Sequence, residues 1–284
     1  HPVAHSFPTR RSSDLSRVIK IKKGLDIPLL GEAEKTIKTI KQAGKFAIKP
    51  PDFEGLTPKL TVKTDHEVKV GTTLFYDKYR PDIKFPSPVS GKVTAVNRGE
   101  RRRILEVVIK PDEQQVFEEF TKANPKDLSK DDIIDQLLNS GLWTFIRQRP
   151  YAIIANPKDT PKSIFITGFD SAPLAPDYNF IATGEENAFQ TGIDALSKLT
   201  DGKLHVNLRA DTPPSKVFSQ AKNVQINRFK GPHPAGSPGI QIHHIDPVCK
   251  GDIVWYLNAL DVITIGKLFE TGKFDPVRTI ALTG

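Results

Sequence analysis

Apolar positions follow two different rhythms along this chain. From about residue 151 to 229, short apolar runs alternate with stretches of helical period. Residues 151–154, 163–167, 204–208 and 224–226 read as strands. Residues 185–199 put Phe189, Ile193 and Leu196 on one side of a helix, and residues 214–222 read as a shorter one. Strand–helix alternation predicts an α/β layer built on a largely parallel sheet. Residues 16–110 differ. There, brief apolar segments such as 59–62 and 105–109 are cut apart by Gly and Pro, the pattern of a β-rich module.

Within that module, residues 68–75 and 86–93 form a pair similar to the half-repeats of biotinyl- and lipoyl-type barrel-sandwich domains. Gly permits the tight turn and the flanking Val pack inward. In carrier domains of that kind a lysine at the hairpin tip bears the cofactor. Lys92 falls at a strand entry instead, so a structural module is expected. Between the two regions, residues 112–123 are polar enough for one helix. A second begins at Ser129, a natural N-cap, and ends before Gly141, with Ile133, Ile134, Leu137 and Leu138 on one face. The expected organisation is a leader over 1–15, a β-rich barrel-sandwich-like module over 16–110 and a helical connector over 111–144. An α/β (Rossmann-like) domain follows over 145–275, then the start of a C-terminal domain over 276–284, opening with a strand at 278–282.

The 284 residues suffice for two domains. Net charge is +8, which suits anionic headgroups or an acidic partner, or simply a soluble basic surface. Arg98, Arg101, Arg102 and Arg103 sit in a strand–turn–strand pattern without interleaved aromatics, so nucleic acid is not an expected partner. No apolar run reaches the ~18 residues of a membrane span; the best, 253–268, is broken by Asn258, Asp261 and Lys267. A secretory signal is not evident. The one cysteine, Cys249, excludes an internal disulfide and a cluster held by several thiolates of this chain. It is expected as a buried thiol in a cytoplasmic protein. The chain has no methionine, and residues 1–15 lack periodicity, so that leader is read as foreign to the fold.

Chemistry concentrates in residues 230–248, where nineteen positions hold three Gly, four Pro, three His and one Asp. Pro fixes φ and Gly supplies the left-handed region, so the loop has a defined shape. His233, His243, His244 and Asp246 invite a metal. Yet adjacent His243 and His244 would point to opposite faces of an extended segment, and a shared ion is not expected. Neither a nucleophile elbow nor a Gly-rich phosphate loop occurs; after the 163–167 strand comes a Pro-stiffened turn, residues 168–176. Phe229, Trp255, Tyr256 and Phe269 flank the His-rich loop. They supply either aromatic walls for a flat ligand, with imidazole donors for its acceptor groups, or ordinary core.

The wording HPAG-x-PG-x-x-IH-x-x-DPV over 233–248 resembles the A subunit of the sodium-translocating NADH:quinone oxidoreductase of bacterial respiratory membranes. The C subunit of the Rnf electron-transport complex is a more distant relative. Residues 19–31 (IKIKKGLDIPLLG), 254–256 and 261–269 are similar to further segments of the same family. The resemblance implies a peripheral subunit on the cytoplasmic face of the bacterial inner membrane, acting near quinone reduction and docking onto the membrane-embedded B subunit. It implies a complex that oxidises NADH, reduces quinone and moves sodium outward, with flavins and the iron centre on other subunits. It also implies a chain continuing beyond residue 284. No catalytic residue and no cofactor are expected on this chain. Relatives that hold flavin mononucleotide do so with a Gly-rich loop that is missing here. The residues expected to face quinone or a partner are His233, Pro234, Gly236, His243, His244, Asp246 and Trp255. The alternatives are a non-catalytic assembly scaffold of that complex, or an Rnf-type flavin-binding electron-transfer protein.

Overall fold

A computed structural model describes residues 18–27, 29–31 and 34–282; the leader expected over 1–15 lies outside them. The chain enters through a short strand, β1 (Val18–Lys20). The barrel-sandwich follows. β2 (Phe46–Ile48), β8 (Ile104–Pro111), β7 (Gly91–Arg98) and β4 (Glu67–Val68) form one antiparallel sheet in that order. β3 (Pro58–Leu60), β5 (Thr73–Asp77) and β6 (Arg80–Pro86) form the other. Alternation sets the faces: in β7, Val93 is buried between exposed Lys92 and Thr94. Phe75 and Phe85 stack at 4.9 Å inside the module, with Phe53 edge-on to Phe85 at 4.6 Å. Gly91 has φ +150°, and a Cβ there would run into the Lys110 carbonyl. The Lys92 ammonium pairs with Asp65 at 2.7 Å.

The expected helix over 112–123 is absent. That stretch is extended and bonds sideways: Val70 N–H donates to the Val116 carbonyl, Glu118 N–H to Val70 and Phe120 N–H to Gly272. Phe117 and Phe120 pack against the core, which fixes the stretch more firmly than local propensity would. The next helix, α1 (Lys130–Ser140), is as expected. Ser129 Oγ accepts from Asp132 N–H, and Asp132 reaches back to Ser129 N–H. Gly141, at φ +77°, closes the helix.

The α/β unit contains β9 (Arg147–Arg149), β10 (Ile153–Ile154), β11 (Ser163–Thr167), α2 (Tyr178–Ile181) and α3 (Glu186–Ser197). It continues with β12 (Lys203–Arg209), α4 (Lys216–Ser219), β13 (Gln225–Lys230), α5 (Pro238–Ile245), β14 (Val254–Asn258) and α6 (Ala259–Thr271). Its seven-stranded sheet runs β1-β13-β12-β11-β14-β9-β10. The first five strands are mutually parallel; β9 pairs antiparallel with β14, and β10 antiparallel with β9. All five residues of β11 are buried because helices cover both faces. Ile164 and Ile166 face α3 and α6, while Phe165 faces α5. α3 and α6 cross closely at Gly192 and Gly266, where a Cβ would strike the Val262 or Ala188 carbonyl.

Three further expectations change. β1 belongs to the sequence region read as barrel but adds to the free edge of β13, with Ile21 and Phe229 packed together. The two regions are therefore not separate sheet systems, and one apolar cluster runs from Val62 to Phe274 through both. Arg80, paired with buried Asp77 at 2.9 Å, donates to the Ile154 carbonyl and ties β6 to β10. Residues 278–282 form no strand; Arg278 instead turns back toward α6, to Thr264 and Asp261.

Candidate functional site

The chain runs from β11 outward to β12 and β13, then returns to place β14 on the other side of β11. Such a reversal leaves a crevice beyond the carboxyl ends of the two central strands. A cleft of about 400 Å³ lies there. Thr167, ending β11, and Asn258, ending β14, form its floor. Phe145, Phe169, Tyr178 and Tyr256 supply aromatic walls, and His233, Gly236, Ser237 and Pro238 form one rim.

Its charged groups come from both sides. Asn258 caps α6 by accepting from Asp261 N–H at 2.9 Å. The Asp261 carboxyl is pushed up to about 6, chiefly by burial, against the opposing pull of the Arg278 guanidinium 2.9 Å away. The Tyr178 phenol is pushed up to about 12 by burial, helped by the negative charges of Asp170 and Asp261. Arg147 donates twice to the Ala152 carbonyl, at 3.1 and 2.7 Å. The Arg149 guanidinium covers the Tyr256 ring at 5.1 Å.

The rim is held by buried polar bonds. Ser171 Oγ lies 3.1 Å from His233 Nδ1 and accepts from Gly236 N–H at 2.8 Å. A Cβ on Gly236 would sit 2.5 Å from the Ser171 nitrogen, so the close approach requires glycine. Gln241 is fully buried. Its Oε1 accepts from Thr167 Oγ1 at 3.0 Å and Asn207 Nδ2 at 2.8 Å, while Nε2 donates to the Ala235 carbonyl at 3.2 Å. It fastens the rim to the ends of β11 and β12. Sequence reasoning passed over Gln241, although an amide between Ile240 and Ile242 was a visible signal of a buried polar anchor.

The N-terminal signature meets this rim. Ile21 N–H donates to Lys230, Leu25 N–H donates to the His233 carbonyl at 3.0 Å, and Asp26 Oδ1 accepts from His233 N–H at 3.0 Å. Two sequence segments more than 200 residues apart, both similar to the same family, are thus in contact.

Of the expected facing residues, His233 and Gly236 line the cleft, with half-buried Pro234 between them in sequence. The others do not. Residues 238–245 are helical rather than extended, because Pro238 can open a helix, and Ile240 and Ile242 pack into two separate apolar clusters that Ile245 joins. His243 and His244 therefore share the last turn of α5, exposed, with His244 Nδ1 on the Ile240 carbonyl at 2.8 Å. Asp246 follows them, 2.6 Å from Lys162 and 3.0 Å from Ser163 Oγ, at the amino end of β11 and away from the cleft. Trp255 is fully buried on the α3/α6 side, edge-on to Trp143 at 5.4 Å. Adjacent residues in a strand point to opposite faces, so its neighbour Tyr256 reaches the cleft instead. Phe229 and Phe269 are core. Cys249 is exposed, not buried, in the turn that leads to β14.

The structure is that of a barrel-sandwich module packed on a doubly wound α/β layer, with a cleft at the reversal of strand order. Two family profiles match: the NqrA N-terminal barrel-sandwich hybrid domain over residues 19–112, and the NqrA second alpha/beta domain over residues 128–274. The chain belongs to the NqrA family, the A subunits of the Na(+)-translocating NADH-quinone reductase. It is 42% identical over 269 residues to the A subunit of that enzyme from Photorhabdus laumondii, 41% over 271 residues to that of Yersinia pseudotuberculosis and 40% over 269 residues to that of Pseudomonas aeruginosa. Each alignment covers 94% of this chain and 60% of the relative, so the chain spans about 60% of the length of the relatives it matches.

Proposed function

We propose that this chain serves as a peripheral subunit of a respiratory sodium-pumping NADH:quinone reductase, at the cytoplasmic face of a bacterial inner membrane. It acts there near quinone reduction and docks onto the membrane-embedded B subunit. Flavins and the iron centre belong to other subunits, and this chain contributes a binding surface rather than a redox group. Among the described residues no helix is long and apolar enough to cross a membrane, which is compatible with a peripheral place.

The observation that carries the reading is the cleft itself. It joins aromatic walls to the His233 rim where both signature segments meet. A quinone headgroup is flat, with two carbonyl acceptors. Tyr256 and Phe169 both line the cleft as aromatic surface for it, with the imidazole edge of His233 left by its Ser171 contact as a donor.

The test is titration of the chain with a short-chain ubiquinone analogue, followed by tryptophan fluorescence. His233→Ala is expected to keep the fold and weaken affinity roughly 2- to 13-fold, the worth of one hydrogen bond. Tyr256→Ala is expected to weaken it at least as much. Parent-like affinity in both variants would remove quinone from this cleft.

A further inference from the structure

Between β1 and β2 the described residues form neither helix nor strand, and nearly all are exposed. This strap is unusually apolar for open chain. Leu25, Ile27, Leu29, Leu30, Ile37 and Ile40 are all exposed, Leu30 completely and Ile40 at 82%. Between them stand lysines. From residue 20 to 45 the sequence has seven Lys against three acids, and no Arg, Phe, Trp or Tyr.

We propose that this strap docks onto an anionic phospholipid bilayer. Its side-chain chemistry separates that occupant from a protein partner. Protein interfaces favour Arg and aromatic residues and disfavour Lys, the reverse of what this strap presents. A bilayer surface requires no shaped counterpart. It takes Leu and Ile side chains below the headgroups, while lysines keep their stems in the apolar layer and their ammonium groups at the phosphates. The charge is complementary as well: the lysines oppose the negative potential of an anionic leaflet.

The strap's position gives the contact a direction. At one end Leu25 and Asp26 bond to His233, on the rim of the cleft. Further along, Lys35 pairs with Asp177 at 2.7 Å, beside the cleft-lining Tyr178. The strap thus passes from one wall of the cleft to the other, and bilayer docking would turn the cleft mouth toward lipid. The docking itself does not depend on the quinone reading.

The test is co-sedimentation of the chain with vesicles of phosphatidylcholine alone or mixed with phosphatidylglycerol, at low and high salt. Binding to the mixed vesicles, weakened by salt, is expected. Lys38→Ala with Lys41→Ala should weaken it roughly 30-fold, since each surface lysine multiplies affinity about fivefold. Leu29→Asp with Leu30→Asp should weaken it roughly tenfold or more. All four positions are exposed, so circular dichroism should be unchanged. No binding by the parent would overturn the proposal. So would vesicle binding that both double variants keep, which would assign it to another surface such as the exposed Val277, Ile280 and Leu282. Variants that keep vesicle binding but lose association with the membrane subunits would make the strap a protein contact and equally overturn it.

Discussion

The two ends of α5 come from one continuous motif, yet they do different work. At the amino end, Gly236, Ser237 and Pro238 edge the cleft, and Gln241 is sealed among Thr167, Asn207 and the Ala235 carbonyl. At the carboxyl end, His243 and His244 lie open, and Asp246 pairs with a lysine nearly two-fifths exposed. The difference follows from strand polarity. α5 runs antiparallel to β11, from Thr167 at its amino end to Ser163 beside Asp246. Only its amino end therefore reaches the crevice left by the reversal of strand order. Density of His, Gly and Pro in a motif marks a shaped segment, and the sheet decides which end of it can bind anything.

The strongest way to break this contrast is at Gln241. Gln241→Ala would strip partners from a threonine, an asparagine and a carbonyl that water does not reach, and leave a void. A cost of about 3 kcal/mol or more is expected, as a lower urea midpoint with unchanged slope. The loss should reach the cleft too, because the amide holds the rim in place. A variant that kept parental stability would mean that the rim is fastened elsewhere, through Ser171 alone.

Most of the fold was legible because its elements satisfy local and global demands together. β11 read as an uninterrupted apolar centre since helices cover both faces, β12 as Leu204, Val206 and Leu208 alternating with His205 and Asn207, and α1 announced itself by its capping box and terminal glycine. The failures have physical reasons as well. Residues 112–123 have their backbone partners on Val70 and Gly272, which lie far away in sequence. β1 is too short to show period. The cleft was half legible. His233 and Gly236 stood in the motif. Phe145, Arg147, Asp170 and Tyr178 come together only through the order of the strands. Trp255 was off by one position, and in a strand one position exchanges the core for the cleft.

A second prediction sharpens the contrast through pH. His205 lies on the α5 side of the sheet, stacked on Phe165 at 4.5 Å. Burial lowers it from 6.5 to about 4, with Asp246 pulling it up and Lys203 pushing it down. Between those values the unfolded chain binds a proton that the folded chain refuses, so its contribution falls as pH drops from 6.5 toward 4. Asp261 runs the opposite way. Raised from 3.8 to about 6, it keeps a proton that the unfolded chain has released, so its contribution falls as pH rises through that window. The two offset each other in the parent. His205→Gln should leave a protein that gains stability on acidification from pH 6 to 4, and Asp261→Asn one that loses it. Each change is about 2 kcal/mol across the window. Denaturant midpoints at several pH values give the curves, and parallel curves for all three proteins would show that neither group titrates as described.

The smallest effect is expected at the open end. Lys162 meets Asp246 at 2.6 Å and Asp252 at 3.1 Å. The carboxylates, Asp246 foremost, hold its ammonium above the ordinary lysine range. All three side chains are between a quarter and two-fifths exposed, so water and salt screen the attraction, and pairs of this kind contribute about 1 kcal/mol at most. Asp246→Asn keeps the shape and can still accept from Ser163 Oγ, so it should cost about 0.5 kcal/mol at low ionic strength and nothing measurable in concentrated salt. More telling is what it should leave alone. Asp246 and His233 belong to one motif, and were that motif a single functional surface, both substitutions would weaken the quinone analogue. With the two ends divided by α5, Asp246→Asn should titrate like the parent while His233→Ala does not. An equal loss of affinity in both would mean that strand polarity does not partition the motif, and that its carboxyl end acts on the cleft through the helix between them.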